Sequence, residues 1–277
     1  MKLRFSKMHG LGNDFVVIDA ISQSINLTKT QIQFLANRHL GIGCDQILLV
    51  ESPTHPKAQF KYRIFNADGS EVAQCGNGAR CFARFVHQQG LSTNREICVE
   101  TQKGLLTLYL QSQNLVTVDM GIPQHSPAEI PLAYETEQLI YEITHEGIIF
   151  EFAAVSMGNP HAVMTVHKLS NFPVKEIGTF LESHSFFPER VNVGFMQIID
   201  RQNIQLRVFE RGVGETLACG SGACAAVVSA ILQDLTEPQV TVHLLGGQLT
   251  ISWTGKDESV WMTGSATHVF DGEIICG

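Results

Sequence analysis

The run Glu71-Val-Ala-Gln-Cys75-Gly-Asn-Gly-Ala79 returns half a chain later as Glu215-Thr-Leu-Ala-Cys219-Gly-Ser-Gly-Ala223, so the pattern E-x-x-x-C-G-x-G-A occurs twice. Two further landmarks repeat in the same order. Gly12-Asn13 with Val17 is echoed by Gly158-Asn159 with Val163, and Phe65-Asn66 and Phe209-Glu210 each begin ten positions before their cysteine. A fold that accommodates this chain must therefore place the same loop at the same point of two homologous halves. The expected division is residues 1–119 plus 265–277 carrying Cys75 and residues 120–264 carrying Cys219, with the Pro-bearing stretch Gly121-Ile-Pro-Gln-His-Ser-Pro127 as the crossing.

Local periodicity says what each half is made of. Phe60, Tyr62 and Ile64 alternate with Lys61 and Arg63, and Leu206 and Val208 alternate with Gln205 and Arg207, which is the period of a half-buried strand entering each loop. After Cys75, the residues Ala79, Phe82, Ala83 and Val86 fall at i, i+3, i+4 and i+7, the stripe of an amphipathic helix. After Cys219 the segment Ala223 to Leu232 is apolar on every face, so that helix is expected to be enclosed on all sides. Short strand-like runs dominate elsewhere, at 15–18, 47–50, 105–110, 148–154, 240–245 and 248–252. The expectation is an α+β fold of two pseudo-symmetric domains, each a mostly antiparallel β-sheet or barrel curled around one central helix, with a site in the cleft between them.

Composition narrows the function class. With 277 residues, 44% of them hydrophobic, there is material for two ordinary cores. A net charge of −8 without a Lys/Arg cluster argues against nucleic acid or an anionic membrane as partner. The N-terminal segment is too polar for a secretory signal, and no run approaches a membrane span, so a cytoplasmic location is expected. Seven cysteines, an odd number without framework spacing, read as reduced thiols. Cys81, Cys98, Cys224 and Cys276 are read as small hydrophobes.

Cys75 and Cys219 differ from these because each stands at the start of a helix. There the unpaired N–H groups and the positive end of the macrodipole can cradle an anion at Gly76-Asn77 and at Gly220-Ser221. The same field, about 0.3–2 kcal/mol, should draw a thiol toward neutrality. Metal binding is not expected, since Cys75 and Cys81 are six residues apart, Cys219 and Cys224 five, and no histidine has zinc spacing beside them. A C-x-x-C redox motif is absent. A single nucleophile would leave the second copy unexplained. A pair of acid/base thiols on opposite faces of one acidic carbon explains both: one removes a proton, the other delivers one, and configuration inverts without a pyridoxal or other cofactor.

The chain resembles the diaminopimelate epimerase family over essentially its whole length. The resemblance is carried by Met8-His-Gly-Leu-Gly-Asn-Asp-Phe-Val-Val-Ile-Asp19, Asn66-Ala-Asp-Gly-Ser-Glu71, Cys75-Gly-Asn-Gly-Ala-Arg80, Gly158-Asn-Pro-His161, Glu210-Arg-Gly-Val-Gly-Glu-Thr216 and Ala218-Cys-Gly-Ser-Gly-Ala-Cys224. It implies interconversion of LL- and meso-2,6-diaminopimelate in lysine and peptidoglycan precursor synthesis, with Cys75 and Cys219 as the acid/base pair. Asn13, Gln46, Asn66, Asn159, Asn192, Glu210 and Arg211 match pocket residues, backbone groups of Gly76, Asn77, Gly220 and Ser221 match carboxylate holders, and His161 and Glu210 match residues that tune the thiols. Arg211 suits a distal carboxylate and Glu210 an ammonium. The family often has tyrosine where Phe270 stands, an aromatic associated with dimers, so a homodimer that keeps the ring contact is expected.

Alternatives remain open from the residues alone. A proline-racemase-like or phenazine-biosynthesis-like isomerase would share the architecture, although the former favours Cys-Gly-His and the latter lacks the thiol pair. A non-enzymatic thiol switch would use Cys75 and Cys219 as a regulatory disulfide. Asn13 and Asn159 could be turn residues, His161 an ordinary hydrogen-bonded side chain, Glu210-Arg211 a surface pair, and Glu71 and Glu215 loop stabilisers or helix caps.

Overall fold

A computed structural model describes residues 2–73 and 75–276; Gln74, inside the first repeat, and the expected end points 1 and 277 lie outside the described residues. The chain divides into two compact units, Met1–Asp119 with Thr263–Gly277, and Met120–Met262.

The first unit contains β1 (Lys2–Gly10), β2 (Asn13–Asp19), α1 (Lys29–Ala36), β3 (Gln46–Glu51), β4 (Phe60–Asn66), β5 (Glu71–Val72), α2 (Gly76–Gln88), β6 (Glu96–Thr101), β7 (Gly104–Leu110) and β8 (Leu115–Asp119). The second contains β9 (Tyr141–His145), β10 (Ile148–Ser156), β11 (Pro160–Thr165), α3 (Val174–Glu182), β12 (Asn192–Asp200), β13 (Asn203–Glu210), β14 (Gly214–Thr216), α4 (Gly220–Leu232), β15 (Gln239–Leu244) and β16 (Gly247–Ser252). The division between units falls within β17 (Trp261–Ser265), and β18 (Thr267–Ile275) belongs to the first.

Pairing repeats strand for strand. In the first unit β1–β2 and β3–β4 are antiparallel, β2–β3 and β4–β6 parallel, β4–β5 a short antiparallel ladder and β6–β7 antiparallel. In the second, β10–β11, β12–β13, β13–β14 and β15–β16 are antiparallel, while β11–β12 and β13–β15 are parallel. Each parallel step is bridged by a helix, as a parallel crossover requires: α1 and α3 at the first, α2 and α4 at the second. The outer partner is where the halves differ. β10 takes its neighbour from the preceding hairpin, β9, whereas β1 takes β18 from the far end of the sequence, with Lys2 opposite Ile275.

The central helices are enclosed as their sequences require. Ala79, Phe82, Ala83 and Val86 of α2 have no exposed surface, and the helix packs on β1, β2, β3, β7 and β8. α4 is buried from Gly222 through Ala230, and inside this apolar helix the Ser229 hydroxyl donates to the Ala225 carbonyl at 2.7 Å rather than standing unsatisfied. Each fully buried Phe or Val contributes about 1.5–3 kcal/mol of burial free energy. Strand β4 follows the alternation read from its sequence, with Phe60, Tyr62 and Ile64 inward. A separate apolar cluster lies under each crossover helix: Ile32, Leu35 and Ala36 of α1 in the first unit, Val174 and Leu181 of α3 in the second.

Two ion pairs brace the approach to the cysteines, and they too are duplicated. Arg63 on β4 grips Glu71 on β5 through Nε at 2.8 Å and Nη2 at 2.9 Å. Arg207 on β13 grips Glu215 on β14 at 2.6 and 2.9 Å with the same atoms. The repeated glutamates thus close the hairpins that deliver each chain to its cysteine, through forks that match guanidinium to carboxylate bidentately.

Candidate active site

Each unit brings the same five structural positions together. The cysteine is the N-cap of the central helix, Cys75 for α2 and Cys219 for α4. An asparagine stands at the start of the strand that opens the first parallel step, Asn13 opening β2 and Asn159 preceding β11. The first residue of the strand that completes that step is Gln46 on β3 in one unit and Asn192 on β12 in the other, and the last residue of the next strand is Asn66 or Glu210. The second helical residue is Asn77 or Ser221. The starts of two parallel strands and the end of their antiparallel neighbour share one sheet edge, so these side chains gather there because of the topology.

In the first unit Cys75 is half-buried. Its sulfur accepts from the Gly78 N–H at 3.4 Å and donates to Asn13 Oδ1 at 3.9 Å. Asn77 Nδ2 donates to the same oxygen at 3.4 Å, and Asn13 Nδ2 donates to Asp45 Oδ2 at 3.0 Å. Gln46 Nε2 donates to Asn66 Oδ1 at 2.9 Å, leaving Gln46 Oε1 buried and without a hydrogen-bond partner, an acceptor that suits an ammonium donor. Tyr62 donates its hydroxyl to the Cys75 carbonyl at 3.3 Å and carries the loop from below. An added Cβ at Gly78 would stand 2.4 Å from that hydroxyl oxygen, so only glycine allows the loop to rest on Tyr62.

In the second unit Cys219 is 5% exposed and lies 3.6 Å from the Ser221 hydroxyl. Glu210 is hydrogen-bonded to Thr216 Oγ1 and to the thiol. Burial and the charge of Glu210 hold the Cys219 thiol well above its ordinary range, and burial likewise raises the Glu210 carboxyl despite its hydrogen bonds to Thr216 and Cys219. The helix-terminus field expected to bring this thiol toward neutrality is opposed here by desolvation and by the charge of Glu210, both of which favour the neutral thiol.

His161 makes its hydrogen bond to Asn159. It is buried, its Nε2 lies 3.1 Å from Asn159 Oδ1, and burial reinforced by the charge of Arg211 lowers its pKa to about 3. It is therefore neutral, with Nε2–H donating to Asn159, whose Nδ2 donates to Ser221 Oγ at 3.4 Å. Asn192 is 4% exposed and fully engaged with backbone, donating to the Pro160 carbonyl at 2.9 Å and accepting from the Arg211 N–H at 3.0 Å. The Arg211 side chain is exposed and donates to the Glu189 carbonyl at 2.9 Å. On β18, Phe270 stands opposite Lys7 and is 46% exposed, edge-on to Phe5 at 6.0 Å between ring centroids.

Sequence reasoning did not single out Asp45, Tyr62 or Arg80. Arg80 has no exposed surface; its Nη2 donates to Asn77 Oδ1 at 3.0 Å and its Nε to the Ser265 carbonyl at 3.2 Å. A buried arginine one turn into a helix, in a motif already marked by its cysteine, was the available signal. Of the cysteines read as hydrophobes, Cys81 and Cys224 are fully buried and Cys276 nearly so, with the Cys81 thiol pushed up to about 12 by burial; Cys98 is half-buried on β6.

The family model for diaminopimelate epimerase matches residues 5–126 and 153–269. The diaminopimelate epimerases of Teredinibacter turnerae and Aromatoleum aromaticum are 57% and 56% identical to this chain over 274 residues, covering 99% of both sequences in each case. Among solved structures, a probable proline racemase from Agrobacterium radiobacter aligns with a TM-score of 0.72 at 13% identity, covering 99% of this chain and 93% of the other. A Bacillus anthracis phenazine biosynthesis protein aligns at 0.70 and 15% identity over the whole of both chains. Those two likenesses establish the α+β architecture alone. The family-model match and the identity across the full length decide the family: the chain belongs to the diaminopimelate epimerases, which are isomerases.

Proposed function

We propose that this protein interconverts LL- and meso-2,6-diaminopimelate without a cofactor, by two-base proton transfer between Cys75 and Cys219, in lysine and peptidoglycan precursor synthesis. The observation that carries the reading is the duplicated N-cap cysteine, one in each unit, on a chain 57% identical to a relative named for that activity. One cysteine, ionised to the thiolate only once substrate is bound, removes the α-proton while the opposite thiol protonates the carbon from the other face, so both sulfurs address one substrate held in a cleft between the units. Helix N–H groups at Gly76-Asn77 and Gly220-Ser221 hold the carboxylate beside the reacting carbon. Gln46, Asn66, Glu210 and Arg211 recognise the second amino-acid head, and Asn13, Asn159 and Asn192 fix the surrounding polar groups. A simpler amino acid would leave these groups unpaired, which is where selectivity arises.

Incubation of the reduced protein with LL-diaminopimelate in D₂O, followed by NMR and chiral separation, tests this. Meso product with deuterium at the inverted carbon is expected. Absence of both exchange and isomerisation would overturn the reading and favour the racemase relatives or a thiol switch. The protein also works as a homodimer in this reading, supported by the exposed apolar side chains of Val269, Phe270 and Ile275 along β18; light scattering at micromolar concentration should give twice the chain mass.

A further inference from the structure

The two repeated asparagines turn opposite ends of the amide toward their helix starts: Asn13 presents its carbonyl to the Cys75 sulfur, and Asn159 its NH₂ to the Ser221 hydroxyl. An amide side chain can turn either way, and its neighbours decide which atom points where. Around Asn13 the decision is made at both ends of a relay by groups that cannot reverse. Arg80, a donor only, binds Asn77 Oδ1 at 3.0 Å, so Asn77 must offer its NH₂ to Asn13 Oδ1 at 3.4 Å. At the other end Asp45 accepts from Asn13 Nδ2 at 3.0 Å and from the Asp14 N–H at 3.1 Å with the same oxygen. Its second oxygen is held by Arg38 at 2.8 Å, and Arg38 also forks onto Asp14 at 2.7 and 3.0 Å. Asp45 therefore keeps its acceptor aimed at Asn13. The carbonyl of Asn13 is left facing Cys75, where it accepts from the thiol and not from a thiolate. In the second unit neutral His161 takes the Asn159 carbonyl, and the NH₂ faces Ser221 beside Cys219.

We propose that Asp45 and Arg80 are positioning residues that lock Asn13 with its carbonyl toward Cys75 and so keep that thiol protonated at rest. A donor in place of this acceptor would stabilise the thiolate. Among the described residues, titratable groups set against Cys75 include Tyr62 on β4, which binds its carbonyl, and Arg80 and Cys81 on α2, and Asp14 follows Asn13 on β2. The Gly78 N–H pulls the opposite way, toward thiolate. The consequence for turnover rests on the proposed acid/base role of Cys75; the locking itself does not.

The test reads the thiol without turnover. Iodoacetamide alkylation of Cys75 is followed by peptide mass spectrometry from pH 6 to 10 on the intact protein. Asp45→Ala releases the Asn13 amide, so alkylation near pH 7.5 should accelerate roughly three- to ten-fold, a fall in thiol pKa of about half a unit to one unit. Asp45→Asn keeps one acceptor oxygen, which Asn13 Nδ2 and the Asp14 N–H both claim from the same side, while the half-exposed Arg38 retains its fork on Asp14; this variant should alkylate as the unaltered protein does. Asn13→Ala should accelerate alkylation by itself, and adding Asp45→Ala to it should change nothing further. An unaltered profile in Asp45→Ala overturns the proposal, as does an equal acceleration in Asp45→Asn or an Asp45→Ala effect that survives in the Asn13→Ala background, since each would mean that Asp45 acts as a distant charge or not at all. If Asp45→Ala does not fold, the contrast between Asn13→Ala and Asp45→Asn decides the matter. Because no substrate is involved, an inactive protein would refute the epimerase reading and leave this result standing.

Discussion

Replacing Gly78 by alanine sets two well-known effects against each other at one helical position. On propensity alone Gly→Ala inside a helix stabilises by roughly 1 kcal/mol. Here the new methyl would stand 2.4 Å from the Tyr62 hydroxyl oxygen and 3.3 Å from both Leu48 Cδ2 and Phe15 Cε1. The hydroxyl cannot retreat, because the Tyr62 ring is 2% exposed and packs on Phe82 with 4.8 Å between centroids. Overpacking of this kind costs about 1–3 kcal/mol, and displacing Tyr62 also removes its 3.3 Å bond to the Cys75 carbonyl, about 0.5–1.5 kcal/mol more. The net expectation is a loss of about 1–3 kcal/mol, or a melting temperature lower by roughly 2–10 °C for a protein of this size. Tyr62→Phe removes the clashing atom, so Gly78→Ala should cost far less in that background; a double-mutant cycle by thermal melting and urea titration gives a coupling of at least about 1 kcal/mol. Should Gly78→Ala prove as stable as the parent, or the two substitutions prove additive, the close approach would not be what requires glycine there.

Three further outcomes follow from the same geometry. Cys75→Ser and Cys219→Ser should keep the fold by circular dichroism and each lose on the order of 10²–10⁴-fold in epimerisation, the scale of a positioned acid or base; full activity in either removes that cysteine from the reaction. Buried His161 refuses a proton down to about pH 3 while the unfolded chain accepts one near pH 6.5, so its contribution is complete above pH 6.5 and is lost progressively as pH falls toward 3. Urea midpoints should therefore drop more between pH 7.5 and 5 in the parent than in His161→Gln, and equal drops would exclude His161 as the source. The Arg63–Glu71 and Arg207–Glu215 forks have similarly exposed side chains, 30%/27% and 24%/26%, so alanine cycles on each should return similar couplings of about 0.5–1 kcal/mol; a several-fold difference between halves would show that one fork is not the brace its geometry suggests.

What could be read beforehand was whatever repeats locally. The alternation through Phe60–Ile64 and the stripe Ala79, Phe82, Ala83, Val86 announce a strand and a helix because burial along them is set by backbone period. Helix α1 was passed over although Thr28 and Gln31 form a capping box, both halves of which are present; α3 offered less, since Pro173 at its N-cap makes no side-chain cap bond. The residue types at the site were legible from the repeated motif and the family resemblance. What each atom does there was not. Asp45 meets Asn13 from across a crossover, and the rise of the Cys219 thiol comes from enclosure by distant segments together with Glu210, neither of which a helix-start rule contains. Loop stabilisation by Glu71 and Glu215 was one of the readings open to the sequence, but their partners Arg63 and Arg207 across the hairpin were not visible in it.

The exchange of β9 for β18 at the outer edge has a consequence for how this chain is made. Synthesis proceeds from the N-terminus, and the second unit draws its strands from the continuous stretch Met120–Met262. It can close as soon as that stretch has emerged from the ribosome. The first unit, though translated earlier, must hold the outer edge of β1 unpaired until residues up to Ile275 arrive to cover it. Open strand edges invite pairing with other chains, and contacts this distant in sequence form slowly. The order of synthesis and the order of completion are therefore reversed, and a truncation that removes only β18 would disable the half that was made first.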